Sequence, residues 1–351
     1  MKASLKFAIA IGIIITVIMI SSTTHYDANT KITENTSSNI LRIGYFANIN
    51  HMQAVIGVGN GDFQNNLGDV KIESQVFNAG PSAIEALVAN RIDVAYVGPN
   101  PAINGYIKSD GQGLRIIAGA SSGGAVFVIR NDSGINTTND FAGKKFASPQ
   151  LGNTQDVALR SYLLKNGYKT SENGGSVTII PAKTADIVTM MTKKDIDGAW
   201  VPEPWGTILA KQANGKIFVD ERDLWPNGQF ATALIVVRTD YLNSHPDVIQ
   251  KLLEAHVKET IWIKNNKDES IKSFNVQVQK LTGKTIPSDV IYEALSRMEI
   301  TYDPVKQSVV KSANDAYSLG FLGDKKPDLS NIFDLTILNK VLQEQSLPII
   351  S

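Results

Sequence analysis

Hydrophobic and polar positions follow two different periods along most of this 351-residue chain. Short apolar runs of strand length, such as residues 40–45 and 92–97, are separated by stretches whose apolar residues recur every three or four positions, as on one face of a helix. In one such stretch Pro81 stands at the first helical position, and Ile84 and Leu87 share a face. This alternation of strands and helices predicts an α/β fold.

The order of elements repeats once along the chain. The runs "IDVAYV" (92–97) and "IDGAWV" (196–201) each follow a helix and, before it, a strand. Two similar α/β lobes would produce this order. Two further runs, 125–130 and 233–238, resemble each other, and we interpret them as crossings between the lobes that pair side by side as a hinge.

The predicted domains follow from these crossings. Lobe 1 spans residues 40–130 and 235–351, and lobe 2 spans residues 131–234. The part of lobe 1 that begins at His245 is predicted to be a mostly helical tail, with further helices from Ser288, from about Val305 and over residues 334–345.

The N-terminus has the pattern of an export segment. Lys2 and Lys6 precede the apolar run 7–20, which is short for a spanning helix of about 20 residues. Residues 1–24 are therefore predicted to be a signal peptide or an N-terminal membrane anchor, and the polar stretch 25–39 a disordered linker. Both alternatives place the folded part outside the cytoplasm.

Composition and motifs exclude several function classes. The formal net charge is zero, which argues against a nucleic-acid binder with a broad basic field. Cysteine is absent, so thiolate metal sites and cysteine nucleophiles are excluded, and the four histidines form no close pair for a metal. We predict no catalytic residue, metal or cofactor. The acidic run Asp220, Glu221 and Asp223 is interpreted as a solvated loop.

Turn-and-helix-start sequences follow the predicted strands in both lobes. They lie at residues 48–51, 80–82, 98–100 and 121–124 of lobe 1, and at 152–155, 183–184 and 202–205 of lobe 2. Ligands in open α/β sheets sit beyond the carboxyl ends of strands, and the amides of a helix start hold anions without a charged side chain. The sequence thus predicts a cleft that traps a small anion.

Several of these residues have a structural alternative. Ser82 and Asn153 either cap helices or contact the ligand, and Thr154 is a second capping candidate. Glu203 either accepts a hydrogen bond from an ammonium or amide group of the ligand or forms a structural ion pair. Trp205 either stacks on an organic tail or belongs to the core of its lobe.

The stretches "GPNPAINGY", "SSGGAVFVIR", "PQLGNTQDVALRSYL" and "IDGAWVPEPW" resemble the substrate-binding proteins of ABC importers for sulfonates, taurine and nitrate. The resemblance spans residues 41–258 and implies a two-lobed type II periplasmic-binding-protein fold with two hinge strands and a helical C-terminal tail. It supports ligand contacts at Asn48, Gly80, Pro81, Ser82, Asn100, Ser122, Gly123, Asn153, Thr154, Glu203 and Trp205.

The resemblance also implies a function. We expect a monomeric extracytoplasmic receptor that captures a small organic sulfonate of the taurine or alkanesulfonate type and delivers it to ABC permease and ATPase subunits. Trp205 or Tyr45 would cover the organic tail. Nitrate, bicarbonate and a pyrimidine thiamine precursor are alternative ligands on this fold, and a tethered sensor is an alternative role. An enzyme resembling the pyrimidine synthases is disfavoured, because those depend on cysteines and this chain has none.

Overall fold

The computed structural model describes residues 40–351, so the predicted segments 1–24 and 25–39 lie outside the described residues. The strands are β1 (Ile40–Phe46), β2 (Lys71–Phe77), β3 (Val94–Val97), β4 (Leu114–Gly123), β5 (Ala125–Arg130), β6 (Lys145–Ser148), β7 (Thr178–Pro181), β8 (Gly198–Pro202), β9 (Gly215–Asp220), β10 (Ala231–Arg238) and β11 (Met298–Ile300). The helices are α1 (Met52–Asn60), α2 (Asp62–Leu67), α3 (Gly80–Val88), α4 (Pro99–Lys108), α5 (Thr154–Lys165), α6 (Thr184–Thr192), α7 (Trp205–Gln212), α8 (Thr239–Ser244), α9 (Pro246–Asn265), α10 (Lys267–Thr282), α11 (Ser288–Leu295), α12 (Lys306–Ser318) and α13 (Thr336–Glu344).

The strands form two separate sheets, which confirms the predicted α/β architecture. The first has six strands in the order β11-β4-β10-β3-β1-β2, and the second has five in the order β7-β6-β8-β5-β9. In the first sheet β1 is parallel to β2 and β3, and in the second β6 is parallel to β7 and β8. We call each sheet with its covering helices a lobe, the first and the second.

The repeat seen in the sequence corresponds to equivalent positions in the two sheets. β3 lies between β1 and an antiparallel β10, and β8 lies between β6 and an antiparallel β5. Asp93, just before β3, pairs with Arg238 at the end of β10, and Asp197, just before β8, pairs with Arg130 at the end of β5. The two lobes therefore have the same strand arrangement, and each has an Asp–Arg ion pair at the equivalent position.

This equivalence corrects the prediction that the runs 125–130 and 233–238 pair as a hinge. β5 pairs with β8 and β9, whereas β10 pairs with β3 and β4. The two runs look alike because each fills the same place in its own sheet. The predicted lobe boundaries change accordingly: β5 belongs to the second sheet although it lies within residues 40–130, and β10 begins at Ala231, before residue 235.

The chain crosses between the lobes at two connections. One is Gly123–Gly124, between β4 and β5, where both residues have positive φ (74° and 73°). A Cβ on Gly123 would lie 2.7 Å from the Arg297 carbonyl oxygen, so only glycine fits there. The other crossing is the segment 221–230 between β9 and β10.

The C-terminal tail is helical, as predicted, and packs on the first sheet. The apolar face of α9, with Val248, Leu252 and Val257, is buried together with Tyr45 of β1. The predicted helices near 288, 305 and 334–345 correspond to α11, α12 and α13. The strand β11 was not predicted, because three residues are too few to show an alternating pattern. Within residues 40–351 we find no helix with the length and apolarity needed to cross a membrane.

Candidate functional site

The carboxyl ends of all six parallel strands meet at one small cavity between the lobes. From the first lobe it is lined by Phe46, Asn48, Asn50, His51, Asn78, Ala79, Gly98 and Thr232. From the second lobe it is lined by Pro149, Asn153, Thr154, Gln155, Thr184 and Pro202. Its volume of about 40 Å³ leaves room for only a few water-sized groups.

Four helices begin at this cavity with their first amides uncapped by side chains. The residues that precede α3, α4, α5 and α6 are Ala79, Gly98, Asn153 and Lys183, and none makes a side-chain cap hydrogen bond. Of the two alternatives for Asn153, the structure excludes side-chain capping: its Nδ2 instead donates to Gln155 Oε1 at 3.0 Å. The positive ends of these helices are left available to a ligand.

Among residues 40–351, no ionised side chain lines the cavity. Its one titratable group is His51, and burial lowers the pKa of this imidazole to about 3, so it is neutral near pH 7. His51 Nδ1 accepts from the Phe46 amide at 3.4 Å, which leaves the ring proton on Nε2. An anion placed here would be held by neutral donors and helix ends alone.

Three buried polar atoms in the lining lack a hydrogen-bond partner among the described residues. They are Asn48 Oδ1, Asn50 Oδ1 and Thr154 Oγ1. Buried polar atoms in folded proteins are nearly always paired, and unpaired ones cost free energy. Their concentration around one cavity marks it as the place where a polar ligand would complete the hydrogen bonding.

Of the predicted site residues, Asn48, Asn153 and Thr154 line the cavity. Gly80, Pro81 and Ser82 form the first turn of α3, directly after the lining residue Ala79. Pro81 itself lies in a separate groove on the first lobe, with Ile84 and Pro101. The sequence thus located the loop, although Ala79 and not Pro81 lines the cavity.

Asn100, Ser122 and Gly123 have structural partners instead. The Asn100 Nδ2 donates to the Ser312 carbonyl at 3.2 Å. Ser122 Oγ accepts from the Phe230 amide at 3.2 Å, and the Gly123 amide donates to the Phe230 carbonyl at 3.0 Å. The last two therefore hold β4 against β10 and do not line the cavity.

Glu203 and Trp205 take the structural alternatives stated above. The fully buried Glu203 carboxylate accepts from the Thr207 amide and from Arg297 Nη1, each at 3.0 Å, and burial raises its pKa. The Glu203 carboxylate thereby takes the position at the N-terminus of α7 that an anionic ligand would otherwise take. Trp205 packs against the core of the second lobe, and Tyr45 is buried in the core of the first, so neither lines the cavity.

The predicted turn sequences missed Phe46, Asn78, Ala79, Pro149 and Thr232. Phe46 ends β1, and Asn78 and Pro149 directly follow β2 and β6. The rule that ligands lie beyond strand ends therefore contains the signal for these three. Thr232 lies in the antiparallel β10, where no such rule applies.

The acidic run before β10 is also corrected. Glu221 is buried and accepts hydrogen bonds from Trp200 Nε1 at 2.7 Å and Trp225 Nε1 at 3.2 Å. Burial raises the pKa of Glu221 to about 7. The residue is thus a buried anchor for two indoles, whereas its neighbour Asp223 is exposed, as expected of a loop.

Comparisons with known proteins identify the family and the fold. The sequence model of the NMT1-like family matches residues 34–274. The taurine-binding periplasmic protein of Escherichia coli K12 is 21% identical over 282 residues, covering 78% of this chain and 84% of that protein. Both this match and the family match extend over the two lobes.

Solved structures share the fold at low identity. The alkanesulfonate-binding protein SsuA of Xanthomonas axonopodis pv. citri, solved with MOPS bound, superposes with a TM-score of 0.71 at 18% identity, covering 84% of this chain and 98% of that one. The nitrate-binding protein NrtA of Synechocystis PCC 6803 gives 0.74 at 17% identity, covering 89% and 90%. The resemblance found in the sequence is confirmed: the chain belongs to the NMT1-like family and has the two-lobed type II periplasmic-binding-protein fold.

Proposed function

We propose that the protein is an extracytoplasmic receptor of an ABC importer that captures a small organic sulfonate between its lobes. The observation that carries this proposal is the convergence of four uncapped helix starts on a cavity without ionised side chains. Each helix start behaves as roughly half a positive charge, so together they favour an anion.

The cavity suits the head group of such a ligand. A sulfonate has three oxygens that each accept hydrogen bonds, and it stays ionised over the whole physiological pH range. Within the described part of the chain, the amides at Thr154 and Gln155 have no backbone acceptor, and the hydroxyl of Thr154 has no hydrogen-bond partner. These groups supply donors in the number and closeness that a compact oxyanion needs.

Nitrate and bicarbonate also fit a cavity of about 40 Å³, so size alone does not select the sulfonate. The choice rests on the sulfonate- and taurine-binding proteins among the relatives. Those relatives are binding proteins, in agreement with the prediction that the chain is not an enzyme.

The remaining roles follow from the fold. Ligand binding between two lobes favours the closed state, and this state presents both lobes to a permease at once. Periplasmic relatives support a location outside the cytoplasm. We propose permease and ATPase subunits of an importer as partners, and a monomeric receptor.

Isothermal titration calorimetry on the purified protein tests the ligand assignment. Methanesulfonate, taurine, nitrate and bicarbonate would be compared at one pH and ionic strength. We expect a sulfonate to bind more tightly than nitrate or bicarbonate. If nitrate binds more tightly, nitrate becomes the assigned ligand in place of the sulfonate. If no anion binds, the receptor role is refuted.

A further inference from the structure

A pocket on the surface of the first lobe lies apart from the space between the lobes. It has a volume of about 400 Å³, and we call it the α9 pocket. One wall is a face of α9 with Ala255, Glu259 and Trp262 at helical spacing. The other wall is the corner between α1 and α2, where Gly61 turns the chain with a φ of 87° and Asp62 begins α2. The α9 pocket shares no lining residue with the ligand cavity.

Glu259 is a buried carboxylate in this lining whose Oε1 is unpaired. The residue is 6% exposed, and its Oε1 has no hydrogen-bond partner among residues 40–351. An unpaired buried charge is costly, so buried carboxylates are nearly always paired. The lining also holds an ammonium, but Lys258 Nζ donates to Asn66 Oδ1 at 2.8 Å. Glu259 is thus left to pair with a cation from outside the chain.

Two further side chains of the lining suit a cation that carries a carbon skeleton. Asp62 adds a second carboxylate at the exposed edge of the α9 pocket. Trp262 is half-buried and packs against the core of the first lobe, so its indole is held in place. Carboxylates hold ammonium and guanidinium groups by charge-assisted hydrogen bonds, and an indole face attracts a cation and packs against carbon.

A bare metal ion suits the α9 pocket less well. Ca²⁺ takes about six to eight oxygen ligands, whereas this lining offers the carboxylates of Asp62 and Glu259 alone. The lining amides are already engaged, since Asn60 Oδ1 accepts from Gln277 Nε2 at 2.6 Å and Asn66 Oδ1 accepts from Lys258. A space of about 400 Å³ is also far larger than one ion needs.

From this arrangement we infer that the α9 pocket binds a small organic cation, with an ammonium or guanidinium group at Glu259 and the carbon skeleton against Trp262. This site is additional to the anion site and independent of it, because every residue of its lining belongs to the first lobe.

The charge state of Glu259 should make this binding depend on pH. Burial raises the pKa of Glu259 to about 7, and the charge of Asp62 adds to the rise. The other titratable groups near it are Lys258, His256, whose pKa burial lowers to about 4, and Tyr96, whose pKa burial raises well above its usual value. A cation binds the ionised carboxylate, so its affinity should be about tenfold higher at pH 8 than at pH 6.

Nuclear magnetic resonance of the four ¹⁵N-labelled indoles of the full chain tests the inference. The Trp262 signal is the one that disappears in Trp262→Phe. Benzylammonium is the probe, benzyl alcohol its neutral match and Ca²⁺ the metal alone, all at one ionic strength. We expect benzylammonium to shift the Trp262 signal with a Kd on the order of 1 mM at pH 8. Benzyl alcohol should bind at least about tenfold more weakly.

The variant Glu259→Gln keeps the shape of the side chain and removes its charge. It should weaken benzylammonium binding at least about tenfold and abolish the difference between pH 6 and pH 8. The matched control is Glu344→Gln on α13, where the side chain is 49% exposed and lies outside the lining; it should bind as the wild type does. Should Glu259→Gln fail to fold by circular dichroism, Asp62→Asn at the edge should weaken binding about threefold.

Four results would refute the organic-cation site. They are a Trp262 signal that benzylammonium does not move, equal affinity for benzyl alcohol, tighter binding of Ca²⁺ than of benzylammonium, and a folded Glu259→Gln protein with the affinity and pH dependence of the wild type. None of these results bears on the anion receptor.

Discussion

Asn153 precedes α5 at the ligand cavity, and its side chain leaves the first amides of the helix uncapped. Replacing it by aspartate places a carboxylate beside those amides, where it would cap the helix and repel an anion. We expect Asn153→Asp to weaken methanesulfonate binding by about tenfold or more, measured by calorimetry. Its thermal stability should stay equal or rise.

The control for this charge change is Asn314→Asp on the exposed face of α12, which should bind methanesulfonate as the wild type does. Equal affinity of Asn153→Asp and wild type would mean that Asn153 does not face the bound anion.

The raised pKa of Glu221 should make the stability of the protein depend on pH. Its folded pKa of about 7 is raised above the unfolded value of 4.5, chiefly by burial. This group therefore contributes stability that is fully present below about pH 4.5 and is lost as the pH rises through 7. Glu221→Gln stays neutral, so its unfolding free energy relative to wild type should increase by up to about 3 kcal/mol between pH 4 and pH 8.

Urea denaturation of both proteins across this range measures the difference. The buried His51 and His256, whose pKa values are lowered by burial, contribute with the opposite sign, but they are present in both proteins and cancel. If the difference in unfolding free energy between Glu221→Gln and wild type does not change with pH, the raised pKa of Glu221 is contradicted.

At the scale of elements, the Glu203–Arg297 ion pair joins the loop before α7 in the second lobe to the segment after α11 in the first. Arg297 reaches Glu203, which is fully buried, while Arg297 itself is 15% exposed. Arg297→Met leaves that carboxylate without its partner, and we expect the unfolding free energy to fall by about 3 kcal/mol in guanidinium denaturation. In the double variant Arg297→Met with Glu203→Gln no unpaired charge is buried, so most of the lost unfolding free energy should be regained.

The matched control is Lys264→Met, which breaks an exposed pair with Glu299 whose members are 45% and 50% exposed. Exposed pairs contribute little, so this variant should lose less than about 1 kcal/mol. Similar losses in the two variants would show that the Glu203 pair is no more important than a surface pair.

Elements were predictable wherever their pattern is local. The runs that became β1, β3 and β8 alternate or cluster their apolar residues strongly enough to be seen in the sequence, and α9 shows its stripe. Pairing was not predictable in the same way. β5 and β10 have similar sequences because each is the antiparallel neighbour of an equivalent strand. From the sequence, this similarity could not be distinguished from that of two strands that pair with each other.

For the whole molecule, ligand binding should narrow the range of lobe arrangements. The chain has no cysteine, so a double variant Val88→Cys and Leu164→Cys takes fluorophores at two exposed positions, one in each lobe. Single-molecule energy transfer should show a broader distance distribution without ligand than with saturating pentane-1-sulfonate. Identical distributions would mean that the lobes are rigid and that capture requires no closure.

The sequence by itself determined that the chain forms two α/β lobes, where most strands end, and that uncharged helix starts follow those ends. These features depend on periodicity within a few residues and on the order of elements, both of which are written along the chain. It also located most of the loops around the cavity.

Only the tertiary structure decided which residue of each loop lines the cavity, that Glu221 is buried, and that a groove lies between α5 and α12. Each of these depends on contacts between residues far apart in sequence, such as Asn100 with Ser312 and Glu203 with Arg297. The physical reason is that burial and pairing depend on which surfaces face each other after folding, and no local pattern of residues encodes that.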